Sequence, residues 1–192
     1  MNIRSAKFIK GETRGAALAD LALPQVAFIG RSNVGKSSTI NALTKVKGLA
    51  KTSSFPGRTR QINVFLIDNI FYLIDLPGYG YAQVSKADRA EIEEVINSYL
   101  FDATLSQAMV VLIIDAFVGP TESDLEMLDA LLEHRKRVVI LANKIDKVKK
   151  SHQKKTIDDI RVTLHGQLVI PFSAEDKIGI SEVLQEIQSS LK

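Results

Sequence analysis

The octapeptide Gly30-Arg31-Ser32-Asn33-Val34-Gly35-Lys36-Ser37 concentrates more usable chemistry than any other stretch of this chain. Glycines at its two turning points free the backbone so that consecutive N–H groups can converge on one anion. A lysine directly after the second glycine can reach phosphate oxygens, and the Ser37 hydroxyl can ligate Mg²⁺. Such a loop works only between a buried strand and the start of a helix. Val26-Ala27-Phe28-Ile29 is apolar and of strand length, and Ser37 to Val46 carries Ile40, Leu43 and Val46 on one helical stripe. The helix N-terminus adds its dipole and free N–H groups to the anion site. The candidate phosphate-contacting residues are Gly30, Arg31, Ser32, Asn33, Val34, Gly35, Lys36, Ser37 and Ser38, with Lys36 also a catalytic candidate.

A second cluster is Asp75-Leu76-Pro77-Gly78. Two apolar runs, Ile62 to Ile67 and Ile70 to Asp75, flank Asp68-Asn69, a dipeptide suited to a tight hairpin turn. The second run delivers Asp75 where a carboxylate can bind Mg²⁺ directly or through water. The Gly78 N–H is then the natural contact for a terminal phosphate, which makes Gly78 a catalytic candidate.

The third cluster, Asn143-Lys144-Ile145-Asp146, ends the apolar run Val138 to Ala142. The Asp146 carboxylate can accept two hydrogen bonds from guanine, at N1–H and the exocyclic amine. Adenine has no such amine and would leave the carboxylate unpaired. Asn143 is expected to tie the base site to the phosphate loop, and the Lys144 stem to cover the base plane. After the short run Val169 to Phe172 come Ser173 and Ala174, whose Ala174 N–H can meet guanine O6. Read in chain order, the three clusters predict a GTP- and GDP-binding domain that uses Mg²⁺.

The elements that position these clusters alternate strand and helix, which implies a mainly parallel sheet covered on both faces. Helices are expected over 87–100, 121–135, 150–164 and 179–191, with Met109 to Ile114 as a further central strand. Residues 3–9 are read as an added strand. Thr121 and Asp124 resemble a helix-start box, ahead of a buried face of Leu125, Leu128, Leu131 and Leu132. All ligand segments then fall at the carboxyl ends of strands. The whole chain, 1–192, reads as one domain with a short N-terminal extension over 1–23.

Between the phosphate loop and the hairpin lies a polar linker, Lys47 to Arg60, with Gly48, Pro56 and Gly57 and no helical stripe. A nucleotide-sensing loop belongs there. Gly57 and Thr59 are assigned to nucleotide contact, and Thr59 also to Mg²⁺ and catalysis; Thr52 is the alternative threonine. A second sensing segment runs from Gly78 to about Lys86, through Tyr79 and Tyr81, and loss of the γ-phosphate would release both.

The chain has 192 residues, 45% of them hydrophobic, enough for a sizeable core. It has no cysteine, which excludes disulfides and thiolate metal sites. No run approaches the ~18 apolar residues of a membrane span. The first fourteen residues lack the apolar core of a secretory signal, so a cytoplasmic location is expected.

The combination G-R-S-N-V-G-K-S, T-S-S-F-P-G-R-T, D-L-P-G-Y-G-Y-A, N-K-I-D and S-A resembles the EngB (YihA/YsxC) family, small bacterial GTPases of the Era-like group. The P-G-R-T and D-L-P-G-Y-G-Y-A segments discriminate, since the other motifs are common to most GTPases. The resemblance runs from about Ile3 to the C-terminus. It implies a Ras-like α/β fold of about six strands, mainly parallel with one antiparallel hairpin strand, and a role in assembling the large ribosomal subunit. Two positions depart from the family: Arg60 stands where Gln is frequent, and Asn143 where Thr is frequent.

Many GTPases carry a water-orienting glutamine directly after the D-x-x-G glycine. Tyr79 occupies that position, which implies slow intrinsic hydrolysis aided by a partner or another element. Some relatives with asparagine at the place of Asn33 bind K⁺ beside the phosphates, where its charge can assist hydrolysis. Two readings of Asn33 therefore stand: K⁺ ligand or loop-stabilising residue.

Net charge is +3 with a pI near 9.0. Basic residues crowd between Arg135 and Lys155, while the preceding helix carries Glu122, Asp124, Glu126, Asp129 and Glu133. Read alone, the basic run is a solvated helix face; with the resemblance it suits rRNA phosphates. Aromatic residues are scarce within it, so recognition of backbone and shape is expected. The partner is then the large ribosomal subunit or its precursor, with no DNA contact and a monomer when free. The alternative is a signalling or cell-division GTPase acting through a protein effector.

Overall fold

The computed structural model describes residues 1–51, 61–80 and 85–192. Thr52, Phe55, Gly57, Thr59, Arg60 and Tyr81 lie outside the described residues.

The strands are β1 (Ala6–Glu12), β2 (Gln25–Gly30), β3 (Ile62–Ile67), β4 (Phe71–Asp75), β5 (Met109–Asp115), β6 (Val138–Asn143) and β7 (Val169–Pro171). They form one seven-stranded sheet in the order β1-β3-β4-β2-β5-β6-β7. Strands β4, β2, β5, β6 and β7 run parallel, and β3 is antiparallel to both of its neighbours. The α/β fold with a single reversed hairpin strand agrees with the sequence reading.

Strands β2, β5 and β6 are buried along their whole length, as a parallel sheet covered on both faces requires. Their side chains alternate between two cores. Ala27, Ile29, Val110, Leu112 and Ile114 face one core with helices α2 (Lys86–Leu100), α3 (Glu122–Glu133) and α4 (Lys150–Thr163). Phe28, Val111, Ile113 and Leu141 face the other, against α1 (Lys36–Thr44) and α5 (Ile180–Ser190). Leu128 and Leu131 are fully buried on α3, with Leu125 and Leu132 half-buried beside them.

The β3–β4 turn forms as its residues suggest: Asp68 and Asn69 both adopt left-handed backbone, φ 51° and 56°. Asparagine and aspartate tolerate that conformation better than other side-chain-bearing residues. The Asp68 carboxylate also accepts hydrogen bonds from the Arg4 and Ser5 N–H groups at 2.9 and 2.6 Å. This anchorage uses residues 4 and 5 as an approach segment. The added strand therefore spans 6–12 rather than 3–9, shifted toward the C-terminus, and Ile3 drops into the core beside α5. Helix α1 stops at Thr44 because Lys45 turns left-handed, φ 57°, which leaves Val46 outside it.

Register aligns the strand ends. Phe28 pairs with Asp75, Gly30 with Ile113, and Asp115 with Asn143. Gly30, Asp75, Asp115 and Asn143 thus emerge along one edge of the sheet, where open α/β sheets bind ligands.

Candidate nucleotide-binding site

The phosphate loop leaves β2 at Gly30 and enters α1 at Lys36. Gly35 has φ 95°, a conformation side-chain-bearing residues rarely adopt. A Cβ there would meet Asn143 Nδ2 at 2.3 Å, and one at Gly30 would meet the Ile113 carbonyl at 2.5 Å. Close approach therefore requires glycine at both positions, and the left-handed backbone requires it at Gly35 as well. Asn33 also lies in the left-handed region, φ 63°, a position asparagine tolerates, which is the loop-stabilising role.

Lys36 Nζ bonds Asp75 Oδ1, and both side chains are largely buried. The pair keeps two charges together that would each be costly to bury alone. Asn63 Nδ2 reaches the other Asp75 oxygen at 3.5 Å. Ser37 and Asp75 supply a hydroxyl and a carboxylate, a donor set that fits Mg²⁺, which takes few protein oxygens and fills its shell with water and phosphate.

The segment after Asp75 is stitched to the loop. Ser32 N–H donates to the Tyr79 carbonyl at 2.9 Å, and Tyr79 N–H to the Gly30 carbonyl at 3.4 Å. Gly78 is buried so closely that a Cβ would lie 3.2 Å from Ser32 Cα. The Arg31 stem lies under Gly80, where a Cβ would meet its Cγ at 2.9 Å.

Tyr79 is a feature whose role sequence reasoning missed. Its hydroxyl donates to Asp124 Oδ1 at 2.7 Å inside the core, while Asp124 Oδ2 accepts from Thr121 N–H and Oγ–H at 2.9 and 2.8 Å. The helix-start box at Thr121 is thus present and doubles as an anchor for the D-x-x-G segment. Asp124 is 1% exposed, so it leaves the acidic surface to which its neighbours Glu122, Glu126, Asp129 and Glu133 belong. Burial, then the Asp124 charge, pushes the Tyr79 phenol above the usual tyrosine range, so it stays protonated and donating. The side chain that stands in the glutamine position is committed to the core.

On the base side, Asn143 Nδ2 donates to the Val34 carbonyl at 2.8 Å, making the expected tie to the phosphate loop. Lys144 Nζ reaches the Asn33 carbonyl at 2.9 Å and Asp115 Oδ2 at 2.7 Å. Asp115 was not singled out from the sequence, although it ends an apolar run as Asp75 does. Its Oδ1 accepts from the Phe117 and Val118 N–H groups at 2.9 and 3.2 Å. Asp146 lines a cleft of about 400 Å³ with Gly35, Ser38, Asn143, Lys144 and Ala174, a volume that admits a purine nucleoside. Burial works to raise the Asp146 carboxyl, but hydrogen bonds from Ser173 and Lys147 outweigh it and hold it below the usual range. Ser173 itself is fully buried. The cleft thus presents an ionised acceptor. Of the sequence candidates, Gly57 and Thr59 lie outside the described residues, and the others gather along this one edge.

Comparison with known proteins agrees with this geometry. Residues 25–144 match the family model for the 50S ribosome-binding GTPases. The chain is 39% identical over 194 residues, covering all of both chains, to the "Probable GTP-binding protein EngB" of Natranaerobius thermophilus. The chain belongs to the EngB family. The EngB protein of Myxococcus xanthus is 44% identical over 168 residues, 83% of this chain and 81% of that one. Among solved structures, Aquifex aeolicus Era bound to GDP and AlF4⁻ is 27% identical with a TM-score of 0.71, covering 88% of this chain and 57% of Era. An Era complex with MgGDPNP and nucleotides 1506–1542 of 16S ribosomal RNA gives 26% and 0.72 over the same shares. The sheet and the EngB family assignment therefore coincide.

Replacing Tyr79 with Phe removes one buried hydrogen bond and leaves Asp124 Oδ1 unpaired. We expect a loss of about 1–2 kcal/mol in unfolding free energy, measured by denaturant titration, with GDP affinity retained. An unchanged stability would show that the hydroxyl does not anchor this segment.

Proposed function

We propose that this chain is a GTP-hydrolysing switch in the assembly of the large ribosomal subunit, holding ribosomal particles in the GTP state and leaving after hydrolysis. The supporting observation is the single cleft shared by the phosphate loop and the Asp146 carboxylate, in a chain of the 50S ribosome-binding family.

In this reading the loop from Gly30 to Ser38 binds the phosphates, Lys36 neutralises β- and γ-oxygens, and Ser37, Asp75 and Thr59 hold Mg²⁺. Mg²⁺, when bound, supplies a Lewis acid for the transferring phosphoryl group. The Gly78 N–H contacts the γ-phosphate, and its packing against Ser32 sets that N–H close to the loop. Asp146, Asn143, Lys144, Ser173 and Ala174 select guanine. With Tyr79 tied to Asp124, intrinsic hydrolysis is slow and waits on an activator. No helix among the described residues is long and apolar enough to cross a membrane.

Substituting Asp146 with Asn turns one acceptor into a donor. GTP affinity should fall at least about a hundredfold, while xanthosine triphosphate, with a carbonyl in place of the amine, should bind. Retained GTP binding in a filter or fluorescence assay would remove Asp146 from the base site.

The switch itself is tested by co-sedimentation with purified large subunits. Retention with a non-hydrolysable GTP analogue and release with GDP is the expected result. No retention in any state, with tight GTP binding intact, would favour a protein effector.

K⁺ stimulation is the finer part of the proposal: Asn33 is exposed at the loop, and its carbonyl is held by Lys144. Hydrolysis should be faster in K⁺ than in Na⁺ buffer. Equal rates would leave Asn33 with its conformational role alone.

A further inference from the structure

A groove of about 500 Å³ runs between the segment after β5 and the start of α4. One wall carries Phe117, Val118 and Pro120; the other carries Lys147, Lys149 and His152. Phe117 is 67% exposed and Val118 60% exposed, the former an aromatic ring presented to solvent. In the sequence helix α3 separates Phe117 from the basic run, so the scarcity of aromatics within that run does not describe the folded surface.

The charge at this wall is poorly explained by helix stability. Helix α4 begins at Lys150 with Lys149 as its N-cap, has no acidic residue in its first turn and no side-chain cap. Cations there oppose the helix dipole, which favours anions at that end. Neither Lys149 nor Lys150 is in an ion pair with a described residue, whereas Lys147 is shared by Asp146 and Glu175 at 3.3 and 3.4 Å. Asp159 is an acidic member of the lining. An uncovered aromatic ring beside Lys149, with Lys150 next along the chain and neither in an ion pair with a described residue, is the composition of a surface that stacks a base and neutralises its phosphates.

The aromatic wall is also held in place. Asp115 accepts the Phe117 and Val118 N–H groups with one oxygen and Lys144 Nζ with the other, and its carbonyl accepts Gly119 N–H at 2.8 Å. A ring presented by a braced turn loses less freedom on stacking than one on a loose loop.

We infer that Phe117 is a stacking platform for one unpaired RNA nucleobase, with Lys149 and Lys150 contacting the flanking phosphates. This rests on the ribosomal reading above and adds to it a site for single-stranded RNA, beyond recognition of backbone shape.

The test uses the full chain, a single-stranded RNA dodecamer and purified large subunits. Phe117→Ala should weaken dodecamer binding about tenfold, leaving GDP affinity and the slope of log affinity against log salt unchanged. Lys149→Gln with Lys150→Gln should instead lower that slope. Phe117→Trp should restore affinity, and since the chain has no tryptophan, its fluorescence reports quenching by the stacked base directly. Wild-type affinity in Phe117→Ala overturns the platform, as does a defect seen with subunits but not with the dodecamer, which would mark a protein contact. If the wild-type chain holds no large-subunit particle in any nucleotide state, the ribosomal reading falls first.

Discussion

A strand buried on both faces can carry a charged group only where it ends, and three of the central strands here, β2, β5 and β6, are buried throughout. Because they run in parallel, their carboxyl ends collect on one edge. With the end of β4 beside them, they bring Gly30, Asp75, Asp115 and Asn143 to a single line. What distinguishes this edge from any other parallel sheet is how its groups are joined across strands. The buried Asn143 amide reaches the phosphate loop at Val34, and the space it occupies exists because Gly35 has no side chain. The segment that leads to Asp146 and the loop before α1 are tied by that contact and by Lys144 Nζ on the Asn33 carbonyl.

Two carboxylates extend this arrangement by serving more than one master. Asp115 divides its oxygens between Lys144 and the turn carrying Phe117, so the proposed guanine site and the proposed RNA platform share a support. Asp124 divides its oxygens between the start of α3 and Tyr79, so a helix cap also fixes the segment behind Gly78. In both, every oxygen is used, which is the condition under which a buried carboxylate stabilises rather than disrupts.

Local chemistry was readable from the chain where a function depends on adjacent residues. The hairpin at Asp68-Asn69, the loop around Gly35 and the Thr121 box all follow from short-range backbone demands, and the structure contains each of them. Pairings between distant residues were not readable. Nothing beside Asp124 in sequence says that a tyrosine forty-five positions earlier donates to it, so its charge looked like surface. Asp115 gave a signal, a carboxylate closing an apolar strand, but its meaning depends on Lys144 one strand over. The N-terminal strand shifted for a similar reason: Asp68 captures residues 4 and 5, and that anchor is visible only once the turn is folded.

The edges of the sheet carry a different consequence. Strand β7 is only three residues long, and β1, on the opposite side, includes a register break between Phe8 and Lys10 and exposes Lys7. Short, charged or irregular edges give an incoming strand little to pair with. On this count β7 offers an incoming chain little backbone, and β1 sets its register break and Lys7 against the exposed side chains of Phe8 and Ile9.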